Sequence, residues 1–266
     1  MRKIIIIILV LSFTKMFSQS DTTFFRIGST KFIVFTDSSF ITKKKEEKFK
    51  AHLAGVTTGI NSLIVSEKDA YKTLIANNKP VLEKEALQLD QIRAWEFGFN
   101  IMEFNFGLYD NRFGVSTGLG FNINNYRFKN NYRIYNTDEK VVSSIDSTYE
   151  FIKSKMTVSY IKLPVVIEFQ SKKNKKGNSV FYINAGMFVA YKMSSHMKYL
   201  YREHSEKVKN KSYENFHINP LQYGVNARIG IGFLEIYAEY NISEMFLNNE
   251  DLKVNQFSIG FVLINF

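Results

Sequence analysis

Apolar and polar residues alternate in five separate segments of the sequence, and this period of two limits the possible folds more than any other feature. In residues 113–124, phenylalanine, valine, leucine, isoleucine and one threonine occupy the odd positions, while glycine, serine and asparagine occupy the even ones. Successive side chains of a β-strand point to opposite faces, so each segment is predicted to be a strand with one apolar and one polar face. The five apolar faces carry no charged residue and lie within residues 113–123, 161–169, 181–193, 221–231 and 234–242.

Three less regular segments bring the predicted number of strands to eight. The first strand is expected over residues 49–60 and the last over residues 257–266. In residues 95–108 the apolar face changes from odd to even positions near Ile101, which predicts a β-bulge there. We therefore expect an all-β fold with eight antiparallel strands.

Long and short connections between these strands alternate strictly. The long connections have about 30, 27, 25 and 11 residues, and the short ones are residues 109–112, 171–178 and 232–233. Outer-membrane barrels show this alternation, because they have short periplasmic turns and long extracellular loops. The pattern predicts an eight-stranded antiparallel up-and-down transmembrane β-barrel with both termini on the periplasmic side.

The polar faces favour a membrane barrel over a soluble lipocalin-like barrel, in which the apolar face would turn inward. They are rich in glycine, which suits a narrow lumen and is unfavourable on a solvated strand. They also carry three basic and three acidic side chains, which we expect to pair inside the lumen, with Arg228 close to Glu235 or Glu239. The predicted lumen charge network consists of Lys162, Glu168, Lys192, Arg228, Glu235 and Glu239.

Phenylalanines fall at the strand ends that the topology places on the periplasmic side. Outer-membrane barrels carry rings of aromatic residues at both membrane interfaces. The predicted periplasmic aromatic girdle consists of Phe113, Phe169, Phe181, Phe233 and Phe266.

The N-terminus has the composition of a secretory signal peptide. A basic start is followed by the unbroken apolar run of residues 4–13 and then by a polar stretch with small residues. The apolar run is about half the length that a membrane-spanning helix needs, and no later segment reaches that length. We expect a signal peptide at residues 1–18, a periplasmic N-terminal extension at residues 19–48 and the barrel at residues 49–266.

Residues 159–169 (SYIKLPVVIEF) and 184–191 (NAGMFVAY), together with the closing strand, carry a resemblance to a known family. The sequence resembles the small outer-membrane β-barrel proteins of Bacteroidota called PorT-like. Residues 49–61 and 112–120 are similar to one branch of that family. The resemblance implies an eight-stranded barrel and a connection with protein secretion across the outer membrane, and it transfers no catalytic residue.

Several chemistries are disfavoured by the residues that the chain contains. The sequence has no cysteine, which excludes disulfides, thiolate zinc sites and cysteine nucleophiles. The interior of an eight-stranded barrel is too narrow for a general diffusion pore. His196, His204 and His217 in the third long connection have serines nearby, but no catalytic motif or orienting acid accompanies them. We assign no catalytic, cofactor-binding or metal-binding residue and expect no cofactor.

Binding is the function that the sequence favours. The third long connection is basic, and such a surface could contact lipid phosphates or an anionic partner. Nucleic acid is not expected, because the compartment offers none. We expect a non-enzymatic outer-membrane barrel that binds a macromolecule through its extracellular loops or its periplasmic face. The expected partners are outer-membrane lipid, lipopolysaccharide, and envelope or secretion proteins. A lipid A-modifying enzyme and a soluble periplasmic lipocalin-like binding barrel remain as alternatives.

Overall fold

The structure is a computed structural model, and it describes residues 22–27, 30–35, 49–77, 79–171, 180–249 and 251–265. The chain divides into two units, Met1–Glu47 and Lys48–Phe266. In the first unit, β1 (Thr22–Ile27) pairs with β2 (Thr30–Phe35) as an antiparallel hairpin. The predicted signal peptide and most of the predicted extension lie outside the described residues.

The second unit is built almost entirely of β-strands. No helix among its described residues is long and apolar enough to cross a membrane. The short helix α1 covers Ala70–Ala76, and two single 3-10 turns cover Lys84–Leu87 and Gln91–Arg93. The strands are β3 (Gly55–Glu67), β4 (Trp95–Tyr109), β5 (Phe113–Phe128), β6 (Tyr132–Asn136), β7 (Val141–Ile145), β8 (Phe151–Gln170), β9 (Phe181–Glu203), β10 (Glu206–Ser212), β11 (Leu221–Ile231), β12 (Leu234–Asn241) and β13 (Leu252–Asn265).

Eight of these strands form a closed antiparallel ring in the order β3-β4-β5-β8-β9-β11-β12-β13. The last strand closes the ring by pairing with the first, from Leu252 opposite Glu67 to Asn265 opposite Gly55. Strand β10 extends the wall beside β9, while β6 and β7 form a separate hairpin. The eight-stranded fold predicted from the alternation is confirmed. We call the end of the ring with the short connections the turn end and the opposite end the loop end.

The apolar faces of the strands point away from the centre of the ring. In β8, the odd residue Val165 is 52% exposed, whereas its even neighbour Val166 is only 1% exposed. The same alternation runs through β9 and β11. A water-soluble barrel would bury these apolar side chains in its interior, so their outward orientation matches a barrel surrounded by lipid.

The first strand begins later than the sequence predicts. Residues 49–54 were expected to belong to the wall, but β3 begins at Gly55 and continues to Glu67. Gly55 has a φ of 154°, and a Cβ at this position would collide with the carbonyl oxygen of Ile264 in the neighbouring strand. Glycine therefore lets the chain enter the wall at this point, and the preceding residues lie inside the ring. We call residues 49–54 the inner segment.

Register shifts interrupt several of the strand pairings, and two of them change how a strand faces. The bulge predicted near Ile101 is confirmed, because the pairing of β4 with β5 shifts between Asn100 and Met102. A second shift leaves Met193 of β9 without a paired residue between Lys192 and Ser194. Before this shift the even-numbered residues of β9 point inward, and after it the odd-numbered residues do, including Met197. His196 therefore lies in a strand that rises above the barrel, where the sequence predicted a loop.

The loop end is covered by the long connections. Leu82, Ile218 and Met245 from three of them pack against Met156 of β8 and Met197 of β9, and all five are fully buried. This cluster is apolar on the inside of the wall, where the sequence predicted a polar face. The interior is apolar at the loop end because the long connections cover it there and exclude water.

We predict that charge is poorly tolerated in the middle of the outward apolar belt. Val165 lies there, opposite Met187. Val165→Arg should destabilise the barrel folded in lipid by about 2–4 kcal/mol, because the guanidinium must leave water. Urea-dependent unfolding in phospholipid vesicles measures the loss.

Val180→Arg is the matched control, because Val180 lies at the turn end, in the connection between β8 and β9. It should cost only about 0–1 kcal/mol. Equal effects at the two positions would contradict the depth dependence that a lipid-facing belt requires.

Candidate functional site

The turn end of the lumen is organised around the carboxylate of Glu168, which is fully buried. It accepts hydrogen bonds from the backbone amide of His52 at 3.1 Å and from His52 Nδ1 at 2.7 Å. The side-chain amides of Gln170 and Asn184 donate to it at 2.8 and 2.9 Å. Four donors therefore compensate the loss of water around this charge.

A second buried carboxylate holds the same inner segment. Glu103 Oε2 accepts the backbone amides of Leu53 at 3.3 Å and Ala54 at 2.9 Å. Asn100 donates to the carbonyl oxygen of Leu53 at 3.2 Å, and Gln170 donates to that of Lys50 at 2.6 Å. Side chains of the wall thus bind the inner segment chiefly at the backbone of that segment.

Side chains of the inner segment fill the remaining space at this end. The His52 ring stacks on the Tyr182 ring, with centroids 3.9 Å apart and an interplanar angle of 4°. Phe49 lies against Gly114, where an added Cβ would come within 2.6 Å of the phenyl ring. The glycine of the wall is therefore what makes room for Phe49.

The middle of the lumen holds a buried ion pair. Lys162 Nζ lies 2.6 Å from Glu239 Oε1, and both side chains are largely shielded from solvent. Glu96 accepts a hydrogen bond from Asn122, and Tyr126 donates to Gln256 at 2.8 Å. The cavity lined by Lys162, Glu239 and Glu96 has a volume of about 20 Å³, which is room for about one water molecule.

The six residues predicted to form one lumen charge network fall into separate clusters. Among the described residues, Lys162 and Glu239 are the only two of the six that pair with each other within 4.0 Å. Arg228 donates to the carbonyl oxygen of His52, and Glu235 accepts from Tyr182 and Asn265. Lys192 lies near the loop end and donates to the carbonyl oxygen of Ile218 at 3.1 Å.

The four predicted girdle residues that the structure describes occupy the turn end. Phe113 lies opposite Phe169 in the sheet, and both are more than one-third exposed. Phe181 begins β9, and Phe233 lies in the turn between β11 and β12 with 98% of its surface exposed. Phe266 lies outside the described residues. That these side chains form an aromatic ring at a membrane interface stays a prediction.

The three histidines considered for catalysis have unrelated surroundings. His196 is directed outward from β9 with its ring 5.3 Å from that of Tyr213, and His204 lies at the tip of the β9–β10 hairpin. His217 Nε2 lies 3.0 Å from the carbonyl oxygen of Thr137. Within the described part of the chain, no three His, Asp or Glu side chains are placed to hold a metal ion.

The inner segment is the feature that the sequence reasoning missed. Phe49, Ala51 and Leu53 alternate with Lys50 and His52 and so resemble a wall strand, although they occupy odd positions and the first apolar residues of β3 occupy even ones. The available signal was the pair of buried-face glutamates, Glu103 and Glu168, which had no obvious partners in the wall.

A closed ring with an outward apolar surface and a filled polar interior defines the class of small membrane-spanning β-barrels. Residues 17–247 match the family model described as "Outer membrane protein beta-barrel domain". The chain belongs to this family and lies in the outer membrane, so the turn end is periplasmic and the loop end extracellular.

Comparison with curated proteins gives no match. Among solved structures, the chain is similar to Ail, the attachment invasion locus protein of Yersinia pestis, in two crystal structures. One is its complex with the heparin analogue sucrose octasulfate, with 14% sequence identity, a TM-score of 0.31, and coverage of 78% of this chain and 94% of Ail. The other has 14% identity, a TM-score of 0.30, and coverage of 79% and 98%.

We predict that Glu168 keeps the inner segment in the lumen. Glu168→Ala removes the acceptor of four donors, which should cost about 1–3 kcal/mol locally. Amide hydrogen exchange of His52 should accelerate roughly tenfold or more, while the wall strands stay protected.

Glu206→Ala, at the exposed tip of the β9–β10 hairpin, is the control and should leave exchange of residues 49–54 unchanged. Rapid exchange of this segment in the unsubstituted protein would mean that it does not occupy the lumen.

Proposed function

We propose that this chain is a non-enzymatic outer-membrane protein that binds another macromolecule of the cell envelope through folded structure outside the bilayer. The observation that carries the proposal is the filling of the lumen together with an ordered cover at its extracellular end. The inner segment fills one end and the apolar cluster around Met156 and Met197 fills the other. A solute would have to displace both to pass.

The extracellular cover has the order that a binding surface needs. We call it the loop platform; it consists of residues 79–90, 129–150, 213–220 and 242–249. Asp251 is fully buried, accepts the amide of Leu82 at 3.1 Å and pairs with Lys140 at 2.8 Å. Arg133 pairs with Asp146 at 2.7 Å. Preordered loops lose little conformational entropy on binding, which favours recognition.

Exposed apolar side chains on the platform are candidates for the contact. Ile145 of β7 is 66% exposed, and Tyr135 of β6 and Leu247 are also exposed. Large apolar groups kept in water above a membrane are typical of interaction sites. Aromatic residues among them are frequent energetic anchors.

The candidate partners are lipopolysaccharide and envelope or secretion proteins. The resemblance to the PorT-like proteins of Bacteroidota supports a role associated with secretion. We further infer that residues 1–18 are a signal peptide that exports the chain, and that residues 19–48 remain in the periplasm as an extension of the barrel at 49–266. Through this extension, a periplasmic partner is an alternative to an extracellular one.

The test is photo-crosslinking in cells, with p-benzoylphenylalanine in place of Ile145 on the platform. The expected result is one discrete protein or lipopolysaccharide adduct that is absent when the amino acid replaces lipid-facing Ile167 or periplasmic Phe233. A platform that yields no adduct would contradict the extracellular binding role. An adduct formed only from the position of Phe233 would indicate that the partner binds at the periplasmic face.

The proposal that the protein is not an enzyme is tested separately. Mass spectra of lipid A should be the same in cells with and without the protein. A modification that disappears with the triple variant His196→Ala, His204→Ala, His217→Ala would establish the enzymatic alternative instead.

A further inference from the structure

Four basic residues lie directly opposite one another across four neighbouring strands. Arg127 of β5 is opposite Lys155 of β8, and Lys155 is opposite Lys198 of β9. Lys198 is in turn opposite Lys211 of β10. We call these four residues the cationic row.

The cationic row faces outward. Its sequence neighbours Tyr126, Met156 and Met197 are fully buried on the inner face of the same strands. Side chains of adjacent strand residues point to opposite faces, so the row lies on the outer wall, above the apolar belt.

The outer face around the row is also basic. Four more basic side chains of β8, β9 and β10 point outward like the row: Lys153, Arg202, Lys207 and Lys209. Glu203 and Glu206 lie opposite each other in the sheet register, and their side chains are on the other face of the hairpin. Asp90, which lies near Arg127, is 3.4 Å from Arg93. The outer wall here therefore presents cations without interspersed carboxylates on the described strands.

Neutral groups orient the row without neutralising it. Arg127 donates to the carbonyl oxygen of Ile152 at 2.7 Å, and Lys155 donates to Asn125 Oδ1 at 2.6 Å. Among the described residues, none of the four forms an ion pair within 4.0 Å. Like charges directly opposite in a sheet are destabilising, so an external anion would relieve a real repulsion.

The height of the row matches the headgroup layer. Lys155 lies six residues beyond Ile161, an outward apolar residue of β8. At about 3.4 Å per residue and a strand tilt of roughly 40°, this places the row on the order of 15 Å above that residue. Trp95 is 43% exposed and its ring lies 5.8 Å from Lys155 Nζ, as expected near a membrane interface.

We propose that the cationic row is a binding site for the phosphate groups of lipopolysaccharide in the outer leaflet. Three strand spacings make the row about 14 Å wide, which is enough for more than one phosphate. This site is on the outer wall, apart from the loop platform. The proposal deepens the function proposed above, because it rests on lipopolysaccharide being a partner and assigns that partner to named residues.

The test measures binding of diphosphoryl lipid A to the full chain in detergent micelles. Lys155→Gln with Lys198→Gln should weaken binding about thirtyfold, because each cation near a charged membrane surface contributes about five- to sixfold to the affinity. The control, Lys72→Gln with Lys79→Gln, removes the same charge from the first long connection and should change binding less than twofold.

Two further measurements separate binding from folding and lipid specificity from charge. Without lipid A, the row variant should unfold at the same or a higher temperature than the unsubstituted protein, because repulsion is removed. Dephosphorylated lipid A should bind weakly, and the row variant should lose no further affinity for it.

Three results would overturn the proposal. The first is a row variant that binds diphosphoryl lipid A within twofold of the unsubstituted protein. The second is an equal loss in the control variant, which would indicate a response to net charge. The third is equally tight and equally row-dependent binding of phosphatidylglycerol, which would assign the row to anionic phospholipid.

Discussion

The closure of β13 onto β3 is the constraint on which the rest of the structure depends. A bilayer offers no water to unpaired backbone groups, so a wall of strands can cross it only as a ring. Closing a ring of eight strands leaves a narrow interior in which every polar side chain needs a partner from another strand. The ion pair of Lys162 with Glu239 and the four donors around Glu168 are consequences of that requirement.

At the periplasmic end, the inner segment supplies the hydrogen-bond partners that the buried polar side chains of the lumen need. Glu103 and Glu168 would be costly charges in an empty lumen, and backbone amides of residues 52–54 satisfy them. Gly55 and Gly114 permit this arrangement, because side chains at those positions would occupy space that Ile264 and Phe49 need. The same contacts therefore fill this end of the lumen and hold residues 49–54 in place ahead of β3.

The alternation of apolar and polar residues was sufficient to predict the ring, because lipid and lumen impose opposite demands on the two faces of each strand. It could not separate residues 49–54 from β3, since an apolar residue facing a packed lumen looks like one facing lipid. It also could not assign partners to the lumen charges. Arg228 was expected near Glu235 or Glu239 and lies opposite Tyr237, which stands between them in β12. Its hydrogen-bond acceptor, however, is the backbone of His52, in a segment that the sequence placed in the wall.

The extracellular half shows a different limit of sequence reasoning. Lys198 and Lys211 are visible in the sequence as part of a basic connection, and such residues ordinarily lie on a solvated surface. Their alignment with Arg127 and Lys155 depends on strand register, which is fixed by the shifted pairing around Met193 and by the β9–β10 hairpin. A charge pattern became a candidate site only when four strands brought it into one row.

The orientation of neighbouring residues in β8 tests the account most directly, and the absence of native cysteine makes the measurement clean. Single cysteines replace Val165 or Val166, and each variant folded in vesicles is treated with a small fluorescent thiol reagent. The account predicts that the probe at position 165 is quenched by nitroxide-labelled lipid acyl chains, while position 166 reacts only after unfolding. Quenching of the probe at 165 by aqueous iodide alone, or lipid quenching at 166, would contradict a barrel whose apolar faces meet the bilayer.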